Sequence, residues 1–229
     1  MKKPLIIIFI LIFSSSAYAN FKEIKKKAII NNPEIIFPIP KNLEKCITKM
    51  HIDPQMNLVK PILKVKAPKG YGLDDRFDNT LDKFSNFSRP CSGGNKEACE
   101  NVKRIILEWA KANAAQRTGP SDGEGRHWND TLTVNLYIAS PMMAAYSFAK
   151  QAIKVTEAED KIIKEWFKRI VKRNEHLMYE YSNYKSGSGA NGTPKRAHNH
   201  ALSSAMSHMQ LGILLSDKKL FRKAFKNFE

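Results

Sequence analysis

From residue 95 onward, apolar residues recur at three- and four-residue spacing, the period of helices with one buried face. Asn95 is placed to cap a helix reaching about Gln116, with Ala98, Val102, Ile105, Ile106, Trp109 and Ala110 as its apolar face. Gly119-Pro120 ends it, and residues 117–127, rich in glycine and charge, read as a loop. A second helix is predicted from Trp128 to Ser140; Pro141 kinks or splits it, and Met142 to Val155 continue as helix. Thr156-Glu157-Ala158-Glu159 fits a capping box. The helix behind it carries Ile162, Ile163, Trp166, Phe167, Ile170 and Val171 on one face, with room to extend to Tyr181. Lys185 to Pro194 form a Gly/Ser-rich loop. Another helix starts near Asn199 and runs to Leu215. Ser216 or Asp217 opens a last one, striped by Leu220, Phe221, Ala224, Phe225 and Phe228.

Residues 20–94 carry no comparable period. Phe21 to Ile30 read as a short basic helix, and Pro33, Pro38 and Pro40 break the chain after it. Leu58 to Val65 fit one extended segment between Pro54 and Pro68, Lys69 to Gly72 make a turn, and Leu73 to Arg89 are polar and aromatic. This stretch is expected to wrap as an irregular arm or lid over an all-α domain spanning residues 95–229. Consecutive helices with short loops are satisfied by a bundle or by a ring of stacked helix pairs.

The N-terminus changes the biological setting. Lys2 and Lys3, the apolar run Pro4–Phe13 and the small residues up to Ala17-Tyr18-Ala19 have the order of a secretory signal peptide over residues 1–19. The apolar run is too short for a spanning helix, which needs about 20 residues. The mature chain is thus expected to start near Asn20, in the periplasm or outside the cell, with no membrane attachment after cleavage. Lys plus Arg total 38 against 22 Asp plus Glu, a net charge of +16, so a polyanionic partner is indicated. Nucleic acid, anionic lipid and acidic polysaccharide all answer to that charge, which by itself does not choose among them, and export makes nucleic acid a poor default. Export also permits disulfides. Cys91 and Cys99 flank a flexible Ser-Gly-Gly-Asn stretch and are the favoured pair, though Cys46 could instead pair with either.

Candidate chemistry gathers where the Gly/Ser-rich loop enters a helix, at Lys195-Arg196-Ala197-His198-Asn199-His200. A helix N-terminus favours an anion. Asn199 also suits a plain N-cap. His200, Ser204, Ser207 and His208 share one helical face, a polar stripe facing solvent or a cleft, opposite Leu202, Ala205, Met206 and Met209. A uronate polymer fits such a site. Its cleavage by β-elimination needs neutral or cationic donors on the C6 carboxylate, a base for the C5 proton and an acid for the leaving oxygen. No metal or other cofactor is required.

Ala197 to Ala205, followed by Leu214 to Phe221, resembles the Asn-Asn-His helix of alginate lyases of the mannuronate-lyase type. Ala144 to Lys150 with Thr156 to Ile170 resembles the helix pair before that motif, and Cys99 with Ile106 to Ala110 its early helix. The likeness covers roughly residues 70–229. It implies an incomplete (α/α) toroid, export, and β-elimination of mannuronate-rich polymers. By the resemblance, Asn199 and His200 neutralise the uronate carboxylate, and His200 serves as base on one substrate epimer. This sequence departs from the family in two places. The first Asn of the motif is His198 here. The family's catalytic Arg and Tyr lie some tens of residues further on, whereas the residues after His200 hold Arg222 and no tyrosine. The expectation is a chain lacking the family's last helices.

Substrate contacts are assigned to Arg126, Trp128, Lys195, Arg196, His198 and Tyr71: a sugar ring stacking on Trp128, guanidinium and ammonium groups meeting carboxylates. Three other functions compete. A glycosidase could use Asp122, Glu124 or Asp130, but acids in one loop do not flank a glycosidic bond. A zinc site could use His198, His200 and His208, but HExxH is missing. A non-catalytic periplasmic protein could bind an acidic polymer by charge alone.

Overall fold

The computed structural model describes residues 34–39, 59–66, 74–116, 133–173 and 199–228. The chain divides into two compact units, Met1–Asn31 and Asn32–Glu229, and every described residue belongs to the second. Among the described residues there are six α-helices and no β-strand, in agreement with an all-α fold.

The first helix, α1 (Asp75–Ser92), is a correction to the irregular arm expected over residues 20–94. Phe77, Phe84, Phe87 and Cys91 all turn into the core, with Leu81 packed against it. That helical period was present but diluted by the Asp, Asn, Ser and Lys between. Asp74 caps the start by accepting from the Arg76 backbone N–H. Behind Pro90 the chain turns through Gly94, whose φ of +88° suits glycine. Asn95 then caps α2 (Lys96–Lys111) by accepting from the Ala98 N–H at 3.0 Å. The Cys91–Cys99 disulfide staples the two helices across this turn. Cys46 lies outside the described residues.

Helix α2 buries the six apolar positions expected of it but stops short of Gln116. Asn113 and Ala115 take left-handed φ values of 47° and 59°. That turns Ala115 and Gln116 out to donate to the carbonyls of Ile62 and Leu63, while Val65 donates back to Gln116. The extended segment expected near residues 58–65 is therefore fixed by a parallel bridge, Lys64 with Gln116.

The proline-split helix takes a specific form. Val134–Ala139 is a π-helical segment in which Ser140 donates to the Asn135 carbonyl, and it runs directly into α3 (Ser140–Ala152). Pro141 has no N–H for the carbonyl four residues back and its ring crowds that carbonyl; a wider turn relieves the clash. The capping box at Thr156 and Glu159 is formed and opens α4 (Glu157–Lys172). Helix α5 (Asn199–Leu214) and helix α6 (Lys218–Phe228) come next. Asp217 caps α6 by accepting from the Leu220 N–H at 2.9 Å.

Helix α2 packs on α1, α3 and α4; α5 packs on α3, α4 and α6. A connected set of rings runs through the first group: Phe77 against Trp109, Trp109 against Trp166, Trp166 against Phe167, and Phe167 against Tyr146, with centroids 4.8–6.4 Å apart. All five side chains are fully buried. Trp166 donates its indole N–H to the Ala114 carbonyl at 3.0 Å. Trp166→Ala removes ring packing and that hydrogen bond together and is expected to cost about 3–5 kcal/mol in denaturant unfolding. Ile162→Ala on the exposed side of the same helix should stay within about 0.5 kcal/mol; equal losses would show that the rings do not carry the core.

Candidate functional site

Helix α5 begins at Asn199, so Asn199 and His200 occupy its first turn, as the sequence pattern predicted for the helix start. Their side chains lie outside the described ones. Tyr71, Arg126, Trp128, Lys195, Arg196 and His198 also lie outside the described residues, so their grouping with Asn199 and His200 stands as a sequence expectation. Among the described residues no three His, Cys, Asp or Glu side chains group as a metal site. No helix among them is long and apolar enough to cross a membrane.

Further along α5 the polar stripe takes a different course from the expected one. Ser203, Ser204, Ser207 and His208 are buried, whereas Met206 is 42 % exposed. At Ser204, Ser207 and His208 the stripe is therefore packed inside the fold, facing neither solvent nor an open cleft. Ser207 Oγ lies 2.9 Å from Ser140 Oγ at the start of α3. It also donates to the Ser203 carbonyl. His208 donates from Nδ1 to the Ser204 carbonyl at 2.7 Å, which sets that ring nitrogen as protonated. Small hydroxyl side chains let α3 approach α5 here, and the Ser140–Ser207 pair bridges the contact. At the π-helical segment, Asn135 is fully buried with no hydrogen-bond partner among the described residues for either amide atom.

One polar cluster escaped sequence reading altogether. Glu34, in the proline-broken N-terminal region, reaches Lys150 of α3 and Lys164 of α4. Asp160 accepts from the same two lysines at 2.9 and 2.8 Å, and from the Tyr146 hydroxyl at 2.7 Å. Around it the segment 34–39 lies against α3 and α5: Glu34 N–H donates to the Ile213 carbonyl, Ile36 N–H to Ser147 Oγ, and Ile39 N–H to Gln151 Oε1. Burial pushes the Glu34 and Asp160 carboxyls upward, but the lysine hydrogen bonds and charges outweigh it and hold both below the usual range. Tyr146 is pushed far upward, first by burial and then by its hydrogen bond to Asp160. It is a neutral donor, not a base. The cluster clamps a strap onto two helices and has no reactive group to spare. The two-residue and four-residue signals used on sequence cannot find it, because its members are up to 130 residues apart.

Residues 93–229 match the family model described as alginate lyase, more than half of the chain. The match spans α2 to α6 and includes Asn199 and His200. Searches of curated proteins and of solved structures each found no match.

The clamp has a pH signature. Carboxyls depressed on folding stabilise the protein above their unfolded values and lose that contribution as pH falls through the lower folded values. Lys164, raised on folding by its acidic partners against the opposing effect of burial, contributes below its unfolded value and loses that contribution only in strong base. The urea midpoint is therefore expected to hold through neutrality and to fall below about pH 4. Glu34→Gln should lower the midpoint at pH 7 and flatten the acid limb; an unchanged limb would show that Glu34 adds nothing to the clamp.

Proposed function

The chain belongs to the alginate lyase family, and from that premise we propose that it cleaves a uronate polymer of the alginate kind by β-elimination, with Asn199 and His200 on the sugar carboxylate. The family match supports a polysaccharide-lyase-like function, and it is the observation that carries this reading. The fold that goes with it is an incomplete (α/α) toroid of mannuronate-lyase type. The α1–α2 and α5–α6 hairpins, each joined by a short turn, support an array of helix pairs.

The chemistry comes from what a uronate needs. The C5 proton is weakly acidic because its removal sends charge into the adjacent carboxylate. Amide and imidazole N–H donors on that carboxylate stabilise the charge as it develops. The first turn of α5 adds backbone N–H groups that have no partner within the helix and the positive end of the helix dipole. As the C5–H pair forms the C4=C5 double bond, the C4–O bond breaks, and the glycosidic oxygen leaves with its electron pair and takes up a proton. The His200 imidazole is the base we assign to the C5 proton on one epimer. Arg196 and Lys195, immediately before the motif, are suited to flanking carboxylates. Tyr71, Arg126, Trp128 and His198 complete the proposed subsites, with Trp128 as a stacking platform.

The test is product chemistry. Alginate incubated with the purified protein should yield unsaturated ends that absorb in the ultraviolet, with no loss of rate on adding a chelator. His200→Ala should reduce the rate about 10²–10³-fold, in line with loss of a transition-state donor, with its helical circular dichroism and melting curve unchanged. Full activity in the folded variant would remove His200 from the site. Polymer retention without new ends would make the protein a binder.

A further inference from the structure

Helix α6 carries five cations and no acid between Lys218 and Phe228. Lys218, Lys219, Arg222, Lys223 and Lys226 are all exposed. At 100° per residue they fall within one arc of about 140°. Leu220 and Ala224 are buried on the other side, and Phe221 and Phe225 stack with centroids 6.2 Å apart. The cations therefore form a ridge about 12 Å long, at about 1.5 Å per residue. Helix α5 beneath it holds no Asp, Glu, Lys or Arg, so Asp217 at the cap is the one acid within residues 199–228.

The ridge also has a direction. Gly212 of α5 meets Phe221: a Cβ added at Gly212 would lie 2.8 Å from the Phe221 backbone N, so the helices cross very closely there. Further along, Ala224 packs with Ala205 and Met209. The two helices are thus antiparallel, and α6 runs from the far end of α5 back toward the turn that holds Asn199 and His200. A solvated charged face needs no such uniform sign; opposite charges at three- and four-residue spacing would stabilise the helix better. Like charges crowded on one face weaken an isolated helix and suit a polyanion lying along it.

We propose that the exposed face of α6 is a second binding surface for the acidic polysaccharide, a track that holds the polymer outside the reacting site and leads it toward the first turn of α5. This rests on the uronate-polymer reading above. Because the ridge meets a row of carboxylates beyond those in the reacting site, the track acts on long chains and not on short ones.

The test compares the wild-type protein with a variant in which Lys218, Lys219, Arg222, Lys223 and Lys226 are all changed to Gln. A control variant changes the exposed Lys161, Arg169, Lys172 and Arg173 of α4 and its C-terminal cap to Gln. Affinity for long-chain alginate is measured across a salt series, alongside turnover of long-chain alginate and of an alginate trisaccharide. The α6 variant should bind the polymer at least tenfold more weakly at low salt, with a shallower salt dependence, and should keep wild-type turnover of the trisaccharide. The control should stay within twofold of wild type. Polymer affinity unchanged in the folded α6 variant, or lost equally in the control, overturns the track. So does wild-type binding to phosphatidylglycerol vesicles that the α6 variant loses while its alginate affinity is kept, which makes the ridge a membrane surface. If wild-type protein releases no unsaturated product from either substrate, the lyase reading fails by itself, and the polymer-binding comparison still decides the track.

Discussion

The described core rests on the contact between Trp109 and Trp166. Each comes from a different helix, each is fully buried, and between them they join α1 through Phe77 to α3 through Phe167 and Tyr146. An indole is large enough to span an interhelical gap but brings a buried N–H that must be met. The chain meets both demands with loop carbonyls: Ala114 for Trp166 and, at the longer distance of 3.4 Å, Val59 for Trp109. That explains why α2 ends in left-handed residues. The turn through Asn113 and Ala115 aims the Ala114 carbonyl inward and pairs the next two residues with the extended segment 62–65.

On that base the second half of the molecule is built from closer and more polar contacts. Serines let α5 approach α3, and Gly212 lets α6 approach α5. Such contacts offer less apolar area than the tryptophan core, and their specificity comes from hydrogen bonds and backbone fit. The strap 34–39 adds a third kind of contact, ionic, drawing α3 and α4 together at Lys150, Asp160 and Lys164. The family match begins at residue 93 and leaves both α1 and the strap upstream of it. The matched helices are therefore held partly by segments outside the match.

For function, the consequence is a division of labour along one helix. The first turn of α5 carries the Asn199-His200 pair, its middle is committed to packing through Ser204, Ser207 and His208, and its far end receives the strap at Ile213. The site proposed at the start of this helix would be held in place by a helix locked along its length, without relying on the loop before it. His208, a candidate metal ligand on spacing alone, belongs to the packed part.

The helical periods of α2, α4 and α6 and the caps at Asn95 and Thr156 were legible in the chain, with Asp217 one of two candidates for the last cap and Cys91–Cys99 the favoured of the open pairings. So was the helix start at Asn199. Each depends on residues no more than about one or two turns apart, and spacing of that kind is local chemistry. Helix α1 was hidden because polar residues masked its period, and the π-helical turn because Pro141 announces a disruption without saying which kind. The side-chain grouping expected around Asn199 lies outside the described residues. What only the tertiary structure decided is which polar groups face inward. Ser207 meets Ser140 across 67 residues and Glu34 meets Lys164 across 130. A hydroxyl or carboxylate reads as a surface group until its partner arrives from elsewhere in the fold, because a polar side chain is buried at low cost only when a partner is there to replace water.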